Sequence, residues 1–361
     1  MPDPILGRPA GSLPGRRPQR KVVCYSGHLL NARDLEPSIQ RAYISHLADA
    51  VAELLERIGV GWGYGALACG ADLVIAEALL EAGAELHAVL PFRSPDFIAS
   101  SVAAGGKDWL TRFDRCLERA HRLIELDRSC YPVCDESYYL GNRFFAGLAV
   151  RRARELDAEA AMLAVWDGVI SQGIAGTGRM AAEWAAAGRP LHRLPCPWRR
   201  PAPENKASAP SPAGFLPALF CEGEPEVMDE LSLLGGASAR IDELRLGPSR
   251  LAWTFASIAA AAAGAVAIAT GDLCRRHRIG ILCDVGLAGS TPELSLKRAW
   301  GAAAHPECPA GIAFATEPFT AEAALVDASI DCEYAGRVPS RDDSGPLTVY
   351  VLRARGTTHL S

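Results

Sequence analysis

Two short turns pair glycine with a small polar side chain at the start of an apolar-periodic segment: Cys69-Gly70-Ala71-Asp72 and Gly176-Thr177-Gly178. A turn that opens a helix aims unpaired backbone N–H groups and the positive end of the helix dipole into the loop. Glycine lets an anion approach that backbone closely. The chemistry this suits is capture of a phosphorylated ligand, with Thr177 adding a hydroxyl and Arg93, just after Pro91, offering a cation. Either turn alone reads more simply as a tight strand-to-helix connection capped by Asp72, because short glycine motifs are weak signals. Both on one sheet edge bring the ligand reading level with the structural one.

The elements that must place these turns follow from hydrophobic periodicity. Lys21–Ser26, Val60–Leu67, Leu86–Leu90, Arg122–Leu126, Ala160–Trp166 and Pro190–Leu194 read as strands. Between them Asp34–Ile58, Ala71–Ala82, Ser94–Ala103, Trp109–Ala120, Asp135–Leu156 and a segment reaching Ala187 read as helices, with Asp34 as an N-cap. Alternation of this kind predicts an α/β, Rossmann-like parallel sheet with helices on both faces. Ligands then bind outside the carboxyl ends of the strands. The loops Ser26–His28, Ala68–Asp72, Pro91–Arg93 and Trp166–Gly178 all fall on that edge.

A chain of 361 residues fits two domains. Pro195–Gly214 is rich in proline, alanine and serine and reads as a linker between domains at 21–194 and 215–354, with tails at 1–20 and 355–361. A net charge of −5 argues against nucleic acid or an anionic membrane as partner. The 11 cysteines include no CxxC, so neither a disulfide framework nor a zinc site is expected, and a reducing cytoplasm is. Leu251–Thr270 carries no charge and formally meets the length for spanning a bilayer. Half of it is alanine, which gains little in lipid, so a strand followed by a buried helix is the expectation.

Other polar residues have bland readings. His28, with no acid partner in view, reads as a loop donor, and His87 alternates with apolar neighbours inside a strand. Trp166-Asp167 could stack a base and bind a ribose hydroxyl, although a tryptophan at a strand end commonly packs.

GALACGADLVIAEALLEAGAELHAVLPF resembles the SLOG superfamily, the DprA/LOG-like Rossmannoid domains that bind nucleotides and nucleotide-derived signals. The resemblance covers about Arg20 to Leu194. It implies a nucleotide pocket lined by Ser26, Gly27, Cys69, Gly70, Ala71, Asp72, Pro91, Arg93, Gly176, Thr177 and Gly178, to which Trp166 is added as a stacking candidate. Hydrolytic LOG enzymes place a glutamate almost directly after the glycine-threonine turn, where this chain has Arg179 and Met180. The next carboxylate, Glu183, lies a turn further along and reads as a solvated helix residue, which favours binding over N-glycosidic cleavage.

Downstream, RIGILCDVG, GIAFATEPF and YAGRVP…TVYVLR resemble the C-terminal half of class III nucleotidyl cyclases, especially bacterial ones that follow a SLOG-like domain. The resemblance implies an α+β, ferredoxin-like domain, with Ala218–Glu222 matching its first strand. Cyclisation needs two carboxylates holding Mg or Mn. Glu222 falls at the first position but Pro248 at the second, and Lys297 and Gly301 fall where the family's stabilising Asn and Arg would stand. That removes the electrostatics phosphoryl transfer depends on. The expectation is a cytoplasmic signalling protein that binds a nucleotide or nucleotide-derived messenger, with an inactive cyclase-like domain that regulates or forms a homodimer. Beyond the nucleotide no cofactor is expected, with Mg or Mn only if the cyclase-like domain is active. A phosphoribohydrolase using Glu183 and an active cyclase with Glu222 and atypical ligands are the alternatives.

Overall fold

The computed structural model describes residues 20–32, 34–126, 135–169, 174–196, 198, 215–233, 240–245, 247–287, 309, 311–327, 329–338 and 346–354. Six strands form the first sheet: β1 (Lys21–Gly27), β2 (Val60–Gly65), β3 (Glu85–Leu90), β4 (Arg122–Glu125), β5 (Ala160–Val165) and β6 (Leu191–Leu194). Their order is β4-β3-β2-β1-β5-β6 and every pairing is parallel. The chain winds outward in one direction from β1 to β4, then crosses back to β5 beside β1. The topological switch point therefore lies between β1 and β5, where a parallel sheet opens a crevice at its carboxyl edge.

Strands covered on both faces must be apolar on both, as Val22, Val23, Cys24 and Tyr25 of β1 are. Val23 and Tyr25 face α1 (Pro37–Ile58), α2 (Ala71–Glu81) and α4 (Lys107–Arg119), with the short α3 (Ser94–Phe97) beside them. Val22 and Cys24 face α5 (Asp135–Glu155) and α6 (Thr177–Ala186). The expected helix over Ser94–Ala103 is broken: a π turn at Ile98–Val102 and a 3-10 turn at Ala103–Gly105 follow α3. Asp34 is not the cap of α1. Glu36 holds the N-cap position, and Asp34 instead accepts the Asn31 N–H at 3.0 Å. Most of the expected linker lies outside the described residues, but its first part is core. Cys196 and Trp198 are buried, and the Trp198 indole N–H donates to the Leu29 carbonyl at 3.1 Å.

The second sheet is mixed. Its strands are β7 (Phe215–Glu222), β8 (Arg240–Arg245), β9 (Arg250–Phe255), β10 (Gly280–Leu287), β11 (Ala313–Thr316), β12 (Ile330–Val338) and β13 (Leu347–Ala354), ordered β12-β13-β11-β10-β7-β9-β8. Only β10 and β11 run parallel. One face carries α7 (Pro225–Leu233), α8 (Ile258–Thr270), α9 (Asp272–Arg276) and α10 (Glu317–Val326). By length and composition Ile258–Arg276 could cross a membrane. In the structure Leu251–Thr270 divides into β9 and α8, and Ile258, Ala261, Ala265 and Ile268 of α8 pack with Trp253 and Phe255.

The two units share a helix. Phe319 and Ala323 of α10 fill the second core, while Ala321 and Ala324 pack into the first, against Phe145 and Ala149 of α5. A methyl group at Gly147 of α5 would stand 2.2 Å from the Ala321 carbonyl oxygen, so only glycine permits this crossing. Arginines of the first unit enclose α10. Arg122 forks onto Glu317 at 2.8 and 2.9 Å, Arg151 donates to Thr320 at 2.8 Å, and Arg154 and Arg189 each donate to a carbonyl near its end at 2.8 Å. Glu317 and Glu322 are 6 % and 7 % exposed, so removing a partner would leave a charge in the interior.

Gly147→Ala is expected to destabilise the whole chain by about 1–3 kcal/mol through overpacking. Urea unfolding followed by circular dichroism measures this.

Candidate functional site

At the switch point the Ser26 hydroxyl of β1 and the Thr177 hydroxyl of α6 meet at 2.9 Å. This bond spans 151 residues of sequence and closes the floor of a cavity of about 330 Å³. The cavity falls within the size range of small-ligand sites. Ser26, Gly27, Asp72, Pro91, Gly176 and Thr177, six of the residues singled out in the sequence, line it. Ser101, Asp135, Tyr138, Gly141 and Asn142 complete the polar part of the wall. Most of these come from α5, whose spacing Asp135-Tyr138-Gly141-Asn142-Phe145 is one helical stripe. That stripe was legible in the sequence but carried no glycine turn to draw attention to it.

The two glycine turns differ. Gly70 sits at φ 110°, and a side chain there would meet the His28 oxygen and Leu30 nitrogen at 2.7 Å. The Leu30 N–H donates to the Cys69 carbonyl, and the Ala71 and Leu73 N–H groups donate to the carbonyls of His28 and Ala68. Cys69, Gly70 and Ala71 therefore form a closed clasp behind the cavity, and the first turn of α2 is largely occupied by its own chain. At Gly176, also left-handed at φ 112°, the helix opens differently. Its first internal bond is Met180 to Gly176, and no backbone acceptor is found among the described residues for the N–H groups of Thr177, Gly178 or Arg179. The open helix start is that of α6.

Asp72 lines the cavity at 7 % exposure and accepts the Gly27 N–H at 2.7 Å. Burial pushes its carboxyl up to about 7, against the pull of backbone hydrogen bonds from Gly27 and Ala68. Near neutrality it can either accept or donate. Beside it, Tyr138 and Ser101 join hydroxyls at 2.9 Å.

Other sequence candidates stand elsewhere. Arg93 is exposed and precedes α3 without lining the cavity. Trp166 is not a stacking platform: it is buried, its N–H donates to Val169 O at 2.8 Å, and Arg193 covers its ring at 4.9 Å. Gly178 presses against that indole. His28 does have an acid partner, Asp167, at 3.2 Å. His87 stacks on Tyr64 at 4.4 Å inside the sheet, and burial lowers it to about 4. Glu183 is not a solvated helix residue. Its carboxylate takes Arg179 at 2.8 Å, Arg143 at 3.1 Å and the Tyr139 hydroxyl at 3.3 Å. In the second unit Glu222 lies 3.5 Å from the Arg250 guanidinium, beside the β8–β9 hairpin that carries Pro248. Lys297 and Gly301 lie outside the described residues.

The raised carboxyl of Asp72 has a definite pH signature. Its folded value lies above its unfolded one, so the native state holds the extra proton and stability falls as pH rises from about 4 to 7. Asp72→Asn keeps an acceptor for Gly27 and has no charge to bury. It is expected to gain about 1–3 kcal/mol over the parent chain at pH 8 and nothing at pH 4, as read from urea unfolding at the two pH values.

No family model matches this sequence, and no curated protein does. Solved structures each resemble less than half of it. Adenylyl cyclase CyaB from P. aeruginosa covers 40% of this chain and 97% of its own, at 12% identity and TM-score 0.27. Adenylate cyclase from Trypanosoma brucei covers 41% and 91%, at 15% identity and TM-score 0.27. DNA processing protein A from Streptococcus pneumoniae covers 48% of this chain and 58% of its own, at 13% identity and TM-score 0.25. What the chain itself shows is a six-stranded parallel α/β sheet and a separate seven-stranded mixed sheet.

Proposed function

We propose that this chain binds a nucleotide or nucleotide-derived messenger in the switch-point cavity, as a SLOG-like sensor. Its second unit is then a regulatory or dimerising cyclase-like domain without cyclase activity. One observation carries the reading: the start of α6 presents N–H groups with no backbone acceptor among the described residues, and the Thr177 hydroxyl, beside a 330 Å³ cavity at the point where β1 and β5 part. A phosphate fits the helix start, where dipole and donors both favour negative charge. The base and ribose would extend along Asp72, Ser101, Tyr138 and Asn142, which offer donors and acceptors on an otherwise apolar wall.

Glu183 supports binding over hydrolysis. A carboxylate engaged by two arginines and a tyrosine stands outside the cavity lining, away from where a glycosidic acid would have to act. The Glu222–Arg250 contact supports the inactive reading of the second unit, since a guanidinium at that carboxylate opposes a divalent ion there.

A thermal-shift series with AMP, ADP, ATP, GMP, GTP, cyclic AMP and cyclic GMP tests the proposal. At least one nucleotide is expected to raise the melting temperature, and Thr177→Val to weaken that ligand about tenfold through one lost charge-assisted hydrogen bond. No stabilisation by any member, or an effect indifferent to Thr177→Val, would refute the site. In the same samples chromatography is expected to find no free base. No cyclic nucleotide is expected from ATP or GTP with Mn²⁺.

A further inference from the structure

α5 carries two jobs on two stripes. Asp135, Tyr138, Gly141, Asn142 and Phe145 line the cavity. Arg143, Gly147, Arg151 and Arg154 receive α10 of the second unit. At about 100° per residue the stripes lie roughly 170° apart, on nearly opposite sides of one rod. Arg143, on the second stripe, also reaches α6. It grips Glu322 of α10 through Nη2 at 2.6 Å and Nε at 2.9 Å, and reaches Glu183 of α6 through Nη1 at 3.1 Å. Glu183 in turn lies under two turns of helix from Thr177, at the open end of α6.

We infer that Arg143 is the coupling residue between the cavity and the second unit, transmitting movement of α6 and α5 to α10 through its shared hold on Glu183 and Glu322. The inference rests on the cavity being a ligand site. Coupling needs an element with two arrangements, not merely a contact. On this inference that element is Glu183, which Arg179 also holds, with Nε at 2.8 Å. It can release Arg143 and keep a charge partner, whereas Glu322, 8 % exposed at its side chain, depends on Arg143 for its ion pair. A ligand that draws the α6 start toward the cavity would thus shift Glu183 between two arginines and change how firmly α10 is clamped. Coupling is reciprocal, so whatever loosens α10 also changes affinity at the cavity. The backbone crossing at Gly147 and Ala321 makes the helix pair stiff enough to pass on a small displacement.

Hydrogen exchange of the full chain, read over residues 317–326, tests this without requiring a ligand. Glu183→Gln touches no residue of the second unit directly, yet it is expected to speed exchange in α10 about three- to tenfold, the effect of weakening one charge-assisted bond. Arg143→Gln is expected to speed it at least as much, and Arg152→Gln, on the same helix but facing Glu155, not at all. If Arg143→Gln accelerates α10 and Glu183→Gln does not, the contact is a fixed dock and the inference fails. If neither does, Arg143 couples nothing. A parallel arm with 5 mM AMP separates the two claims: absence of protection at 135–145 and 177–183 counts against AMP as ligand, while the response of α10 to Glu183→Gln alone decides the coupling.

Discussion

The crossing of α5 and α10 is the constraint from which the molecule's arrangement follows. Gly147 meets the Ala321 carbonyl with no room for a side chain, and a set of arginines surrounds the contact. Burying Glu317 and Glu322 is costly unless each is paired. Burial would raise the Glu317 carboxyl, but Arg122 and Arg151 hold it below its ordinary value. The outcome is a joint whose register is set by charge and whose closeness is set by glycine. Because Ala321 and Ala324 enter the first core while Phe319 and Ala323 enter the second, neither unit completes its packing without α10.

From that joint the site can be understood outward. α5 is pinned at its C-terminal half by the second unit, which leaves its N-terminal half to form a wall of the cavity. α6 is tied to α5 through Glu183 and Arg143, and to β1 through Thr177 and Ser26. The cavity thus lies between elements each anchored somewhere else. Preorganisation of this kind lowers the ordering cost of binding. It also places the open helix start next to a carboxyl, Asp72, whose charge depends on pH near neutrality.

Much of this was legible in the sequence. The alternation of strands and helices, the four loops on one edge and the glycine-threonine turn follow from periodicity and turn chemistry, which are local. What was not legible is non-local. Nothing in Cys69-Gly70-Ala71 says that residues 28–30 will fold back to take the Ala71 N–H and the Cys69 carbonyl. Glu183 read as a solvated residue because its partners, Arg143 and Tyr139, lie 40 and 44 positions away. Trp166 read as a stacking candidate until Gly178 and Arg193 were seen to cover its ring. Ser94–Ala103 has helical spacing, but its π turn comes from tertiary packing over Cys69, whose N–H bonds to Ser101 O. The α5 stripe was visible as a helix face and unassigned, since the same pattern serves a core.

The most direct measurement is a crystal structure of the chain soaked with the nucleotide that stabilises it best. The account places the phosphate within hydrogen-bonding distance of the backbone N–H groups of Thr177 and Gly178, with the base toward Tyr138 and Asn142. A nucleotide bound away from the start of α6, or a cavity empty under saturating ligand, would contradict it.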